Sequence, residues 1–398
     1  MSASESILMG AKILFVTSVN PSRHPFVEQQ LQLVKKKGCD VRVLTRVHSD
    51  DCLHPDVIYD GFLSREIPLL MIVLTIVKAR INGAINKRFK HFIEEEAEWK
   101  RLGHKIGAKR AYHWMRIFKL VKEWKPDLIH VHFAWHLPFV LPLADYFSIP
   151  IVCTAHGSDI YFEDDWCNNL MNLRVKKIIA ISESINSYMV RRCPDLEKKI
   201  MLIYNPINTC FLKPVISHPK TLNILNVAAL SNVKNQAWLV RALAELKKRD
   251  IKFHCTFIGA GENYGRIYQQ VKKLDLDGCV EFLGFLPHDE VLDAMDAASV
   301  FVLTSRSEGL PTVITEALAR LCAVVATDLP GTRDATSNGL YGLLVPLNDD
   351  VALADAIEAA DKSDDSVSRD AREWVSNTFK SEVHWNKLEA VYLSVLGN

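Results

Sequence analysis

The chain has 398 residues, too many for one hydrophobic core of ordinary size, so two domains are expected. Its 48 Lys and Arg balance 47 Asp and Glu, which removes the electrostatic reason for a nucleic-acid partner. The nine cysteines form no C-x-x-C pair and no metal-ligand spacing, which points to a reduced, cytoplasmic chain.

The first residues, MSASESILMGAKILFVTS, lack a basic stretch before their apolar run, so no signal peptide is expected. From there, strand-like runs alternate with helical patterns, the signature of an α/β chain with parallel sheets covered on both faces. The first series reads KILFVTS, DVRVLT, DLIHVHF, IPIVCTA, KKIIAIS and IMLIYNP. Residues 26–37 have helical periodicity and stop at Gly38, a plausible C-cap. The longest apolar run, residues 67–77, is too short for a bilayer, which needs about 20 residues. Basic and aromatic-bearing sequence follows it to Lys125. Residues 67–125 therefore read either as an amphipathic segment on an anionic membrane surface or as a core helix with a solvated flank. The second series reads LNILNVAAL, FHCTFIGAG, VEFLGFL, SVFVLTS, AVVATDL and GLLVP, with helices over 236–248 and 351–360. A proline-bearing stretch near 205–219 joins the two series, which predicts two tandem Rossmann-like domains with a ligand cleft between them.

Open α/β sheets bind ligands beyond the carboxyl ends of their strands, so residues that follow strands are the candidates. The stretch SEGLPTVITEA carries Glu308 and Glu316 on either side of Gly309, Leu310 and Pro311. Pro311 is tolerated only in the first turn of a helix, which predicts a helix over 311–320 and rejects a capping box from Ser305 to Glu308. Uncapped N–H groups near Leu310, Pro311, Thr312 and Val313 then offer a phosphate site, with one carboxylate before it and one a turn inside. A nucleotide-sugar, with phosphate between two hydroxyl-rich rings, fits that pattern.

Elsewhere, Lys234 opens a helix after a strand and is placed to balance diphosphate charge. Gly259 and Gly261 form a tight turn beside a nucleotide; the G-x-G-x-x-x-G spacing to Gly265 is not that of an NAD site. His156 follows a strand beside Gly157, where an imidazole can donate to phosphate or sugar hydroxyl. Asp159 reads equally as a helix cap and as a catalytic group. His130 and His132 share a strand face, but no carboxylate or cysteine stands at ligand spacing, so no metal is expected. Trp135 and His136, with His24 in the first loop and Asp159, are the acceptor-side candidates. Asp275-Leu276-Asp277 reads as a solvated loop away from the cleft.

These residues together resemble family four of the retaining glycosyltransferases, which have the GT-B fold. SEGLPTVITEALA is similar to that family's E-x7-E signature, and TAHGSD, AISES, IGAGE, VEFLGFL and PGTRDATSNGLYGLLVPLND are further matches. The resemblance implies that Glu308 holds hydroxyls of the transferred sugar and Glu316 the nucleotide ribose. It places the backbone from Gly309 to Thr312 against sugar and diphosphate, Lys234 facing the diphosphate, and His156 near the reacting centre. It further implies no metal or other cofactor, retention of configuration, and a saccharide or lipid-linked acceptor met at the inner membrane face. The last helix, EVHWNKLEAVYLSVL, resembles the family's crossover onto the first domain. That divides the chain into 1–208 with 381–398, for the acceptor, and 209–380, for the nucleotide-sugar. Three departures stand out: Ala229 occupies the place of a family arginine, NPSRHPF lacks a glycine pair, and YNPIN replaces an Asn-Gly turn. A sugar-nucleotide epimerase and a non-catalytic partner of the same fold are the alternatives.

Overall fold

A computed structural model of the chain describes residues 8–17, 25–45, 58–61, 117–163, 165–215, 221–363 and 365–397. Its first sheet contains β1 (Lys12–Val16), β2 (Asp40–Thr45), β3 (Ile58–Gly61), β4 (Leu128–His132), β5 (Ile151–Ala155), β6 (Val175–Ala180) and β7 (Ile200–Leu202). The second contains β8 (Asn223–Val227), β9 (His254–Ile258), β10 (Val280–Gly284), β11 (Val300–Leu303), β12 (Ala323–Thr327) and β13 (Leu343–Val345). The strand orders are 3-2-1-4-5-6-7 and 10-9-8-11-12-13, and the paired strands run parallel. This is the expected α/β, GT-B architecture, with a topological switch point between β1 and β4 and another between β8 and β11.

Burial explains why the strands were legible. β4 and β5 are buried at every position, as strands covered on both faces must be. β3 was not anticipated: IYDG is four residues long and half polar or glycine, too short to show a period. The predicted 236–248 helix is observed as Gln236–Lys248, with Trp238, Leu239, Leu243 and Leu246 fully buried beneath it. The helix predicted over 26–37 runs Pro25–Lys36.

The last helix, Ser381–Leu396, returns to the first sheet. Its Trp385, Leu388, Val391 and Tyr392 share a core with Ile13 and Phe15 of β1 and with Val27 and Leu31. The connection between the two sheets is gripped by two arginines. Arg320, only 1% exposed, holds the Asp296 carboxylate at 2.6 and 2.7 Å and donates to the carbonyls of Phe211, Lys213 and Pro214. Arg372 donates to the carbonyls of Leu212 and Lys213 at 2.7 and 2.9 Å.

Two expectations meet the structure differently. Cys167 and Cys193 form a disulfide (Cα–Cα 6.2 Å), which corrects the reading of a wholly reduced chain. The cysteines are 26 residues apart and only the packing of their helices brings them together, so spacing gave no sign of it. The 67–125 segment lies mostly outside the described residues. Its end, the helix at 117–124, turns Ile117, Val121 and Trp124 into the core. Among the described residues, no helix is long and apolar enough to cross a membrane.

Candidate active site

The candidate residues converge where the carboxyl ends of β5, β8 and β11 meet. The helix begins at Thr312 and ends at Ala319, with Pro311 at its N-cap and no side chain capping it. The first-turn N–H groups that lack intrahelical acceptors are thus left to the loop side, where the helix dipole favours negative charge. Glu308 stands in the loop before, as the position of Pro311 demanded.

Lys234 and Glu308 are brought together as an ion pair, Nζ to Oε1 at 2.6 Å. One follows β8 and the other β11, so the pair bridges the switch point of the second sheet. Ser305 Oγ donates to the same carboxylate oxygen at 2.5 Å. The i, i+3 spacing that suggested a capping box is used here for a side-chain contact within the loop. Two further bonds stitch the loops: Thr304 Oγ1 donates to the Lys234 carbonyl at 3.0 Å, and Arg306 N–H donates to the Val233 carbonyl at 2.7 Å. Thr304 and Arg306 had not been singled out, because their partners are some 70 residues away in sequence, and Ser305 had been weighed only as a helix cap for Glu308, three residues on.

Glu316 lies one turn inside the helix and is 6% exposed. No protein group among the described residues hydrogen-bonds its carboxylate, and burial alone pushes its pKa from 4.5 up to about 7. Burying a carboxyl away from water without a hydrogen-bond donor carries a desolvation cost.

The first domain contributes His156, directly after β5. Its carbonyl lies against Gly309, and a Cβ placed on Gly157 would stand 2.9 Å from the Gly309 Cα. The two domains therefore touch backbone to backbone at this point, and only glycine fits. Gly157 also has φ +101°, a left-handed value that glycine adopts without strain. The His156 ring is packed against Phe133 (4.3 Å between centroids), Phe26 (4.9 Å) and His132 (5.2 Å).

The remaining sequence candidates among the described residues make contacts of their own within the fold. Asp159 is fully buried, and its carboxylate accepts the backbone N–H groups of Ala134 at 2.6 Å and His156 at 2.8 Å. Burial outweighs these bonds and lifts its pKa to about 6. Asp159 thus clamps the β4 and β5 loops to each other. His136 is buried as well, with Nε2 accepting from the Trp135 indole at 3.0 Å. Trp135 itself is 38% exposed and stacked on Phe133, so it is the member of this pair that faces outward. Gly259 and Gly261 pack their Cα atoms against the backbone of Ala228 and Leu230, where a side chain would collide. Their conformation serves loop packing, whatever they also contact. His24 lies outside the described residues.

His130 and His132 are stacked at 4.7 Å and hydrogen-bonded to protein groups. Among the described residues, no group of three metal-ligating side chains is close enough to hold an ion.

With this geometry in view, likeness to known proteins is informative. The model of Glycosyltransferase Family 4 matches residues 26–211, and that of the group 1 glycosyl transferases matches residues 212–380. The glycosyltransferase MJ1178 of Methanocaldococcus jannaschii, itself uncharacterized, is 31% identical over 238 residues, 58% of this chain and 64% of that protein. The amylovoran biosynthesis glycosyltransferase AmsK of Erwinia amylovora is 32% identical over 139 residues, 33% of this chain and 34% of its own length. The chain thus aligns with less than two thirds of the length of these relatives. Anabaena HepE, crystallised with UDP and glucose, shares the fold with a TM-score of 0.73 at 17% identity, over 96% of this chain and 100% of that one. Matched in succession from residue 26 to residue 380, this chain belongs to the family-four glycosyltransferases of the GT-B fold.

Proposed function

We propose that the chain transfers a sugar from a UDP- or GDP-sugar to a saccharide or lipid-linked acceptor, with retention of configuration, in cell-surface polysaccharide biosynthesis. The observation that carries this reading is the pairing of Lys234 with Glu308 beside an uncapped helix start, with Glu316 buried one turn further in and without a donor among the described residues. The diphosphate would lie at the Thr312 N–H groups, where Lys234 offsets its charge. Glu308 would then exchange the lysine for hydroxyls of the transferred sugar, and Glu316 would accept from the ribose.

In the transfer step, the bond between the anomeric carbon and the diphosphate oxygen breaks. The acceptor oxygen bonds to the same face of that carbon, and its proton passes to the departing diphosphate. Negative charge grows on the leaving group, so Lys234 and the helix start are the groups that lower the barrier. No metal ion or other cofactor enters this scheme. The acceptor would approach from the His156 and Trp135 side, with residues 67–125 bringing the enzyme to the inner membrane face from the cytoplasm.

Screening the purified chain against activated sugars, with acceptor present and absent, tests the reading. Lys234→Ala and Glu316→Ala should each lower turnover about 100-fold or more while circular dichroism is unchanged. Full activity in both variants would remove the site from this place. Ala229, an exposed alanine at the place of a family arginine, gives a non-catalytic partner some support. Calorimetric titration with UDP and GDP separates that case, since a scaffold need bind neither. Release of free sugar without acceptor would instead indicate epimerase-type chemistry.

A further inference from the structure

His132 was considered above only as a metal ligand, yet its position suggests another task. Its Nδ1 lies 3.0 Å from Nε2 of His156. One of these nitrogens must donate and the other accept, so the contact fixes where each ring carries its proton. We propose that His132 is a positioning residue that donates from Nδ1–H to Nε2 of His156 and so holds His156 in the tautomer protonated at Nδ1. The proposal rests on the functional reading only for the importance of His156; the hydrogen-bond geometry stands without it.

The direction of the bond follows from what surrounds the other nitrogen of His132. Its Nε2 is buried and has no hydrogen-bond partner. Were the proton there, an N–H would be enclosed without an acceptor, which native structures avoid more strictly than an enclosed lone pair. The proton on Nδ1 leaves only the lone pair unmatched. Burial also lowers the pKa of His132 to about 3, so the ring stays neutral through the physiological range and cannot carry both protons.

His130, two residues away on the same strand face, shows the contrast. Its Nδ1 meets the Tyr392 hydroxyl and its Nε2 the Thr154 hydroxyl, both at 2.7 Å. Hydroxyls donate or accept as required, so His130 imposes no proton position on its neighbours. Orientation of the His156 ring is already secured by Phe133 and Phe26. What packing cannot supply is the tautomer. In the proposed state the His156 Nε2 lone pair is engaged, so this ring acts as a hydrogen-bond donor through Nδ1 and not as a base through Nε2.

Two-bond proton–nitrogen correlation spectra of the full chain labelled with 15N-histidine test this directly, with His156→Gln assigning the signals. The wild type should show His156 protonated at Nδ1. His132→Asn, whose amide can donate from a similar place, should keep that tautomer, and His132→Leu should lose it. An Nε2–H signal for His156 in the wild type overturns the proposal, as does an unchanged tautomer in a folded His132→Leu. Should the leucine variant fail to fold, the wild-type and asparagine spectra still decide. Where the sugar screen finds a substrate, His132→Leu should lower kcat by about 100-fold, with the donor KM within twofold and partial recovery in His132→Asn. An unchanged kcat refutes the positioning role. The spectra need no substrate, so a failed transferase reading and a failed tautomer assignment are told apart.

Discussion

Glu316 shows at the level of one residue how burying a carboxyl acts against stability. Its pKa is raised from 4.5 to about 7 because folding buries the carboxyl, and no described residue donates to it. Below pH 4.5 both the folded and unfolded chains hold the proton, and the residue is neutral in the balance. Between 4.5 and 7 the unfolded chain releases the proton while the folded chain keeps it, so stability falls as pH rises, and the full penalty is present above pH 7. Its size is on the order of 3 kcal/mol, the free-energy equivalent of that shift. Glu316→Gln should therefore raise the urea midpoint above pH 7 and leave it unchanged below pH 4.5. Identical pH profiles for variant and wild type would show that the carboxyl is not desolvated as described. Lys234 and Glu308, by contrast, each meet an opposite charge within the protein.

At the scale of elements, the glycine turn after β9 separates local conformation from ligand contact. Gly259 has φ +137° and a Cα facing the Ala228 carbonyl, so any side chain there meets both backbone strain and a collision. Gly259→Ala should lower stability by about 1–3 kcal/mol or more, read as a lower melting temperature. UDP binding by the folded fraction should change little if the turn acts through packing. A large loss of UDP affinity at unchanged melting temperature would instead make the turn a contact surface. The helix Thr312–Ala319 is the complementary case, because there the sequence revealed the start itself: Pro311 is excluded from any later position. The β3 strand and the Cys167–Cys193 bond were illegible for the opposite reason, since neither four half-polar residues nor two distant cysteines carry a period.

For the whole molecule, the relation between the two domains depends on a small set of contacts. Besides the Gly157 and Gly309 approach, Asp334 of the second domain accepts from Ser184 N–H at 2.9 Å and Ser184 Oγ at 2.6 Å. Ser184 lies in the first turn of the helix Glu183–Arg192, so a carboxylate from one domain sits at the positive helix end of the other. Loss of such a charged cap is worth about 1–2 kcal/mol. Asp334→Ala should therefore populate wider arrangements, seen as a larger radius of gyration in small-angle scattering, with each domain intact by circular dichroism. Scattering that matches the wild type would show that the glycine contact and the Arg320 hub suffice to hold the domains.

The sequence by itself determined the two parallel sheets, every described strand but β3 and several of the helices, because burial on both faces writes continuous apolar runs and proline and glycine mark the ends. It also marked Glu308, Glu316, Lys234 and His156 as residues beyond strand ends. Only the tertiary structure decided that Lys234 pairs with Glu308, that Asp159 braces two loops, that Trp135 and not His136 faces outward, and that His132 reaches His156. Each of these is a meeting of side chains from separate strands, and a one-dimensional pattern records which face a residue takes but not which distant residue it will find there.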